Sequence, residues 1–408
     1  MLLNNYKKMF DKNLDKKFDV IVVGAGPAGG QCARELSESG KKVLLIERSS
    51  EIGQPNFSSG GTPLETLKDF DLPLSLVPGK WSKLLIGTTS RSKVWDYEDT
   101  RGYVFDFKDL KKFLVKESVK NGAKLLIGTS AKEPIVKDGR VVGVTYSGMF
   151  GDGELYANVV VDASGPVGVL ASKVGLREKV ICSPSIGVEY SLINTPESIS
   201  DTLAFYFGTD YVPHGYGWIF PMGKNTVKIG VAVYNATDNG IGSLKGVLDK
   251  FVSQFPELKD AEPIDMHGGS IYINGGIDSY STDGLIVIGD AGAQINPFAG
   301  EGIRHGLHSG RMASDIIIKA IESNDFSKKT LELYDKKWNK YIGSGWKHSL
   351  SVSDKIYGSM SNDKINEMMD VISRMSKEDI FEVGFNYNFV KALSLEAVMT
   401  WFKDIIKK

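Results

Sequence analysis

Four stretches of this chain are apolar with no polar alternation: Val20 to Val23, Val43 to Ile46, Val159 to Val161 and Leu285 to Ile288. A strand buried on both faces has no polar side to show, so such runs predict the inner strands of a parallel sheet covered by helices. Each run ends at a glycine, an acid or both: Gly24, Glu47, Asp162 with Gly165, and Gly289 with Asp290. Residues 28 to 39 suit a helix, and Leu110, Phe113, Leu114 and Val119 predict another over about 107 to 121. Lys124 to Ile127 reads as a strand, and Ala131 to Val136 with Arg140 to Tyr146 as a hairpin turning at Asp138-Gly139. From residue 186 the pattern changes to strand-like segments, Ile186 to Ile193, Asp201 to Gly208, Tyr216 to Pro221, Val227 to Tyr234 and Ser270 to Ile273, interrupted by a helix at about 243 to 255. These predict an antiparallel sheet as a second domain, and 326 to 408 reads as mostly helical.

The first run and its turn carry chemistry. Gly24-Ala25-Gly26-Pro27-Ala28-Gly29 between a strand and a helix, with Glu47-Arg48 closing the next strand, makes a dinucleotide-binding unit. Gly24 makes the tight turn, Gly26 lets a pyrophosphate approach the backbone, and Gly29 lets helix and strand pack. The phosphates then meet unpaired amides at the positive end of the helix. Glu47 is placed to accept hydrogen bonds from ribose hydroxyls.

Composition narrows the field. A formal net charge of -1 gives no sign of a nucleic-acid partner, and 45 glycines fit a backbone that approaches a large cofactor at several points. Cys32 and Cys182 have no metal or redox spacing and read as small core residues. The leader Met1 to Lys17 carries charge throughout, unlike a secretory signal, and no apolar stretch is long enough to span a bilayer. A cytoplasmic location is expected, with peripheral contact to a membrane left open: Leu393 to Lys408 has Leu395, Val398, Trp401, Phe402 and Ile405 on one side, suited either to lie on a membrane surface or to cap the fold.

The late run adds a second cofactor signal about 260 residues after the first. An extended dinucleotide such as FAD accounts for both. Asp290 can bind a hydroxyl on the ribityl or pyrophosphate side, Gly300 and Gly302 allow close backbone approach, and a helix starting near Gly302 can aim its positive end at the flavin N1 and O2 region. The polar loop Glu51 to Thr62, with Ser58-Ser59-Gly60-Gly61 at its centre, is placed either near the far end of the cofactor or as a surface connection.

The fingerprint with Glu47-Arg48, the Asp162-Ala163-Ser164-Gly165 stretch and Gly289-Asp290-Ala291 followed by Asn296-Pro297 together resemble the flavoprotein superfamily of the aromatic hydroxylases. Within it, His214-Gly215-Tyr216-Gly217-Trp218-Ile219-Phe220-Pro221 and Gly300-Glu301-Gly302-Ile303-Arg304 resemble the geranylgeranyl reductase family, over nearly the whole chain. The resemblance implies a discontinuous Rossmann-like FAD-binding domain (1 to 185 and 276 to 325), an antiparallel substrate domain (186 to 275) and a C-terminal helical region. It implies FAD held by Gly24, Gly26, Pro27, Ala28, Gly29, Glu47, Arg48, Asp162, Gly165, Gly289, Asp290, Gly300, Gly302 and Ile303. It also implies hydrogenation of isoprenoid double bonds in a lipid, with Tyr216, Trp218 and Phe220 lining a substrate tunnel. Many relatives carry Cys-Gly where this chain has Ser58-Ser59-Gly60-Gly61, so any redox part for that cysteine has no counterpart here.

Two matters stay open on the residues alone. The proton donor is unassigned, with His214, His305 and His308 as candidates. The reductant is ferredoxin, a transiently bound nicotinamide (NAD(P)H) or another protein. An FAD-dependent monooxygenase acting on a hydrophobic substrate is the alternative function.

Overall fold

The computed structural model describes residues 17–149, 151–177, 184–236, 242–358 and 360–389. Cys182, the leader before Lys17 and the segment Leu393 to Lys408 lie outside them.

The first sheet runs in the order Ser281–Thr282, Leu285–Val287, Gly151–Asp162, Lys17–Val23, Val43–Ile46, Lys124–Leu126. Every pairing along it is parallel except the short first one. Val20 sits between Val159 and Val43. The helices Pro27–Glu38 and Ile303–Ser323 cover one face, through Cys32, Leu36, Ala313 and Ile317. The hairpin Thr129–Lys137 and Arg140–Gly148 covers the other, through Ala131, Val141 and Val144. Both faces are buried, which is why the four apolar runs never alternate.

The second sheet runs Glu262–Ile271, Ser185–Ile193, Thr226–Val233, Gly215–Pro221, Thr202–Phe207, Lys83–Gly87, Ser92–Asp96. This corrects the expected boundary, which placed residues 83 to 96 with the cofactor-binding unit. Lys83–Gly87 instead pairs in parallel with Thr202–Phe207, a partner more than a hundred residues away that local periodicity cannot reveal. The expected antiparallel sheet therefore contains one parallel pairing. Glu262–Ile271 also begins earlier than expected.

This sheet has two unlike faces, because side chains alternate along each strand. Val227, Ile229, Val231 and Val233 point to the helix Leu244–Val252 and pack on Leu248 and Phe251. Tyr216, Trp218 and Phe220 belong to a second cluster on the opposite face. Gly217, between them, has no room for a side chain: a Cβ there would lie 2.3 Å from the Phe251 ring.

The helices Gly345–Gly358, Asn362–Ile372 and Lys377–Phe385 close over the aromatic face. Ser361 and Ser376 cap the last two by accepting from the Lys364 and Asp379 amides. The edge strand Ser92–Asp96 and its flank pin the turn between those helices: Trp95 Nε1 donates to the Met375 carbonyl at 3.0 Å and Tyr97 OH to the Lys377 carbonyl at 2.8 Å.

Candidate active site

The glycine turn is built as its spacing predicts. Gly24 has φ +106°, and a Cβ on it would lie 2.2 Å from the Ala163 carbonyl oxygen. A Cβ on Gly29 would lie 2.0 Å from the Gly24 oxygen, so turn and helix pack backbone to backbone. Gly26 differs: its φ is ordinary at -73°, and a Cβ would meet no protein atom within 4 Å. Nothing in the protein itself requires glycine there, and the open space in front of it fits a ligand's close approach. The helix it begins has no side-chain cap, so its first amides are available to an anion. Glu47 accepts from the Ala25 amide at 2.9 Å and the Ser49 amide at 2.8 Å, which fixes the carboxylate beside the turn. Arg48 next to it is exposed.

The late signal converges on the same place. A Cβ on Gly289 would lie 2.7 Å from Ala28 Cβ, and one on Gly310 would lie 2.4 Å from the Ala28 carbonyl. The two strand ends therefore meet across the fingerprint helix. Gly302 is the N-cap of Ile303–Ser323, again with no side-chain cap, and Asp290 Oδ1 is 3.6 Å from where its Cβ would be. Burial pushes the Asp290 carboxyl up to about 6, with the Arg177 charge working against it. Such a carboxyl is suited to hydrogen bonding with a hydroxyl.

Asp162 braces its own backbone. It is fully buried, and its oxygens accept from the Ser164, Leu170 and Ala171 amides at 3.1, 2.8 and 2.7 Å. Its work is to brace the turn after its strand. Gly165, at φ +73°, faces open space on that turn.

Between the second sheet and the C-terminal helices lies a cavity. Ser58, Ser59, Gly60 and Gly61 form one edge of it, and Phe298 to Ile303 another. Tyr216, Trp218 and Phe220 form its floor with Phe205 and Phe207, and Ile356, Tyr357, Met368, Met375 and Tyr387 its roof. The expected tunnel residues and cofactor-side glycines thus share one space. The roof was missed from sequence: residues 326 to 408 read only as mostly helical, which does not say what those helices would cover.

One row of residues crosses the sheet in register: Ile86, Phe205, Trp218, Gly230, Glu189, His267. Gly230 leaves a gap that the Trp218 indole fills, since a Cβ there would lie 2.2 Å from the ring. The indole thereby reaches Glu189, donating from Nε1 at 3.3 Å. Lys228 Nζ lies 3.7 Å from Glu189 Oε1 and donates to the Ser58 carbonyl, so a buried ion pair anchors the serine loop. Burial pushes the Glu189 carboxyl up, opposed by Lys228 and His267. Sequence reading passed over both residues, because a lone charge in a strand is ordinarily solvated.

The three histidine candidates separate. His214 sits outside this cavity, beside a second one, its Nδ1 3.2 Å from the Tyr357 carbonyl. His308 packs edge-on against Phe70 at 4.8 Å, and burial lowers it to about 3, keeping it neutral. His305 lies behind Glu301, which itself lines the cavity.

The fold and cradle define a flavin-binding oxidoreductase, and the family of FAD dependent oxidoreductases matches residues 19–180. The geranylgeranyl reductase catalytic domain matches residues 184–271, the stretch that carries the aromatic floor. The chain belongs to the geranylgeranyl reductase family. It is 30% identical to a digeranylgeranylglycerophospholipid reductase of Methanocaldococcus jannaschii, over 97% of this chain and 100% of the relative. A second such reductase, from Methanopyrus kandleri, is also 30% identical, over 92% and 94%. A geranylgeranyl bacteriochlorophyll reductase-like protein of Thermoplasma acidophilum superposes with a TM-score of 0.85 at 26% identity, covering 96% of this chain and 98% of that one. A myxobacterial chondrochloren halogenase shares the fold at a TM-score of 0.70 and 16% identity, over 96% and 97%. No helix among the described residues is long and apolar enough to cross a membrane.

Proposed function

We propose that this protein hydrogenates the carbon–carbon double bonds of geranylgeranyl chains carried by a glycerophospholipid. The observation that carries the reading is the continuous apolar cavity that joins the Ser58–Gly61 and Gly300–Ile303 edges of the cofactor cradle to an aromatic floor and a helical roof.

Gly26, the Ala28 and Gly29 amides, Glu47 and Arg48 would hold the dinucleotide end of FAD, and Asp290 with Gly300, Gly302 and Ile303 the flavin end. Bound FAD, once reduced, supplies a hydride. The chain's own residues orient the alkene and exclude water and oxygen: Trp218 and Phe220 from below, Tyr357 and Met368 from above.

The test is anaerobic incubation of reduced holoenzyme with digeranylgeranylglycerophospholipid, followed by mass spectrometry. A gain of two hydrogens per bond supports the reading. An oxygen-dependent gain of one oxygen atom replaces it with the monooxygenase. Ferredoxin and NAD(P)H, offered in turn, identify the reductant. Liposome co-sedimentation with and without Leu393 to Lys408 tests contact with a membrane surface.

A further inference from the structure

We propose that Tyr387 is the proton donor to the alkene and that Glu301, His305 and Tyr341 resupply it from solvent. The inference rests on the reductase reading above and assigns the half of the reaction that the cofactor does not provide.

The cavity's phenols differ in what accepts from them. Tyr216 OH donates to the Ala299 carbonyl at 3.0 Å and Tyr357 OH to the Phe298 carbonyl at 2.9 Å. A carbonyl has no proton to give back. Tyr387 OH instead donates to Glu301 Oε2 at 2.5 Å, and both residues line the cavity.

Behind Glu301 the chain of groups continues outward. His305 Nε2 lies 3.5 Å from Glu301 Oε2, and His305 Nδ1 lies 3.1 Å from Tyr341 OH, a residue partly open to solvent. A carboxylate facing Nε2 favours the tautomer with its hydrogen there, which leaves Nδ1 to accept from Tyr341. His305 Nε2 is buried and makes no well-aligned hydrogen bond at rest, so a small approach to Glu301 completes the path.

The surroundings support a fixed, loaded donor. Arg304 holds Glu301 through both oxygens, at 2.8 and 2.7 Å, and donates to the Phe385 carbonyl two residues before Tyr387. Tyr387 itself sits at φ +54°, a strained backbone for a bulky residue of the kind that gathers at functional sites. The groups facing this path are Glu301 just before the helix Ile303–Ser323, Arg304 and His308 on it, Tyr341 on Leu333–Ile342, Trp346 on Gly345–Gly358, and Tyr387. Burial works to raise Glu301, yet Arg304 and His305 hold it well below the usual carboxylate range. Burial and Glu301 hold the Tyr387 phenol above its usual range, so the donor stays protonated until the alkene draws on it.

The balance is simple. As the π bond breaks, one carbon takes the hydride furnished by the reduced cofactor. The other forms a C–H bond with the Tyr387 proton while the O–H bond breaks. The phenolate regains a proton through Glu301 from His305 Nε2, His305 Nδ1 takes one from Tyr341, and Tyr341 takes one from water. This leaves hydroxide in solvent and the His305 hydrogen on Nδ1, from which it must shift back to Nε2 before the next turnover.

The decisive experiment mixes dithionite-reduced holoenzyme with digeranylgeranylglycerophospholipid and follows flavin reoxidation in wild type and Tyr387→Phe, in H₂O and D₂O. The expected result is a loss of about 100-fold or more in the variant, with unchanged flavin absorbance and a solvent isotope effect in wild type. A second readout is independent of turnover: ¹⁵N-histidine spectra of the oxidised protein should show His305 neutral with its hydrogen on Nε2, and Tyr341→Phe should alter that signal. A Tyr387→Phe rate within a few-fold of wild type overturns the inference and points to the Ser58 and Ser59 hydroxyls. Loss of flavin from that variant assigns the hydroxyl to structure and overturns it too, as does a hydrogen on Nδ1 of His305. If wild type itself is not reoxidised by the lipid, the proposed function fails and the donor assignment with it. A fast Tyr387→Phe removes the donor alone.

Discussion

The two sheets form their halves of the site by different means. On the parallel sheet the candidate cradle is backbone: the turns that carry Gly24, Gly26, Gly289 and Gly302, with Glu47 locked by the Ala25 and Ser49 amides. On the antiparallel sheet it is side chain: an aromatic floor levelled by Gly230 and roofed by helices from the far end of the chain. A backbone cradle tolerates almost no added atom, whereas an aromatic wall tolerates reshaping at a cost in rate and stability.

Substitutions should divide along that line. The largest effect is expected from Gly29→Val, whose added atoms have no space beside the Gly24 oxygen; the purified protein should lack visible flavin absorbance, and a yellow variant would break the comparison. Trp218→Ala should stay yellow but lose turnover on long chains. It should also lose about 3–5 kcal/mol of stability in urea, because the indole is buried and fills the gap over Gly230.

Lys228→Met tests the link between the halves. It leaves Glu189 buried without its cation and frees the Ser58 carbonyl, so a loss of about 3 kcal/mol is expected, with added protease cleavage in the 54–61 loop. The smallest effect concerns pH. Burial raises Asp290 in the folded state to about 6 from 3.8, so the folded form binds the proton more tightly than the unfolded chain. Its stabilising contribution is full below about pH 4 and is lost as pH rises through about 6. The side-chain amide introduced by Asp290→Asn cannot ionise, so the melting temperature of that variant, stripped of flavin, should gain on flavin-stripped wild type across that window. A constant difference would sink the assignment.

Legibility followed the same division. The glycine spacing, the four unalternating strands and the Gly-Asp at residues 289 and 290 were readable, because each is a local requirement written in neighbouring residues. Tyr216, Trp218 and Phe220 were readable as one face of one strand. The three amides that Asp162 accepts from were not readable, since an acid at a strand end looks the same whatever donors will meet it. Lys83–Gly87 fell on the other sheet, because strand pairing depends on a partner that periodicity does not name.

By itself, then, the sequence determined the kind of elements, the glycine turn and the apolar character of the aromatic face, all of which depend on residues within a turn or a strand of one another. Only the tertiary structure decided what roofs that face, why Gly230 lets Trp218 reach Glu189, and that Tyr387 returns from the end of the described chain to Glu301. Those contacts join residues separated by tens of positions, and they exist only once the packing of both sheets has fixed where each strand and helix ends.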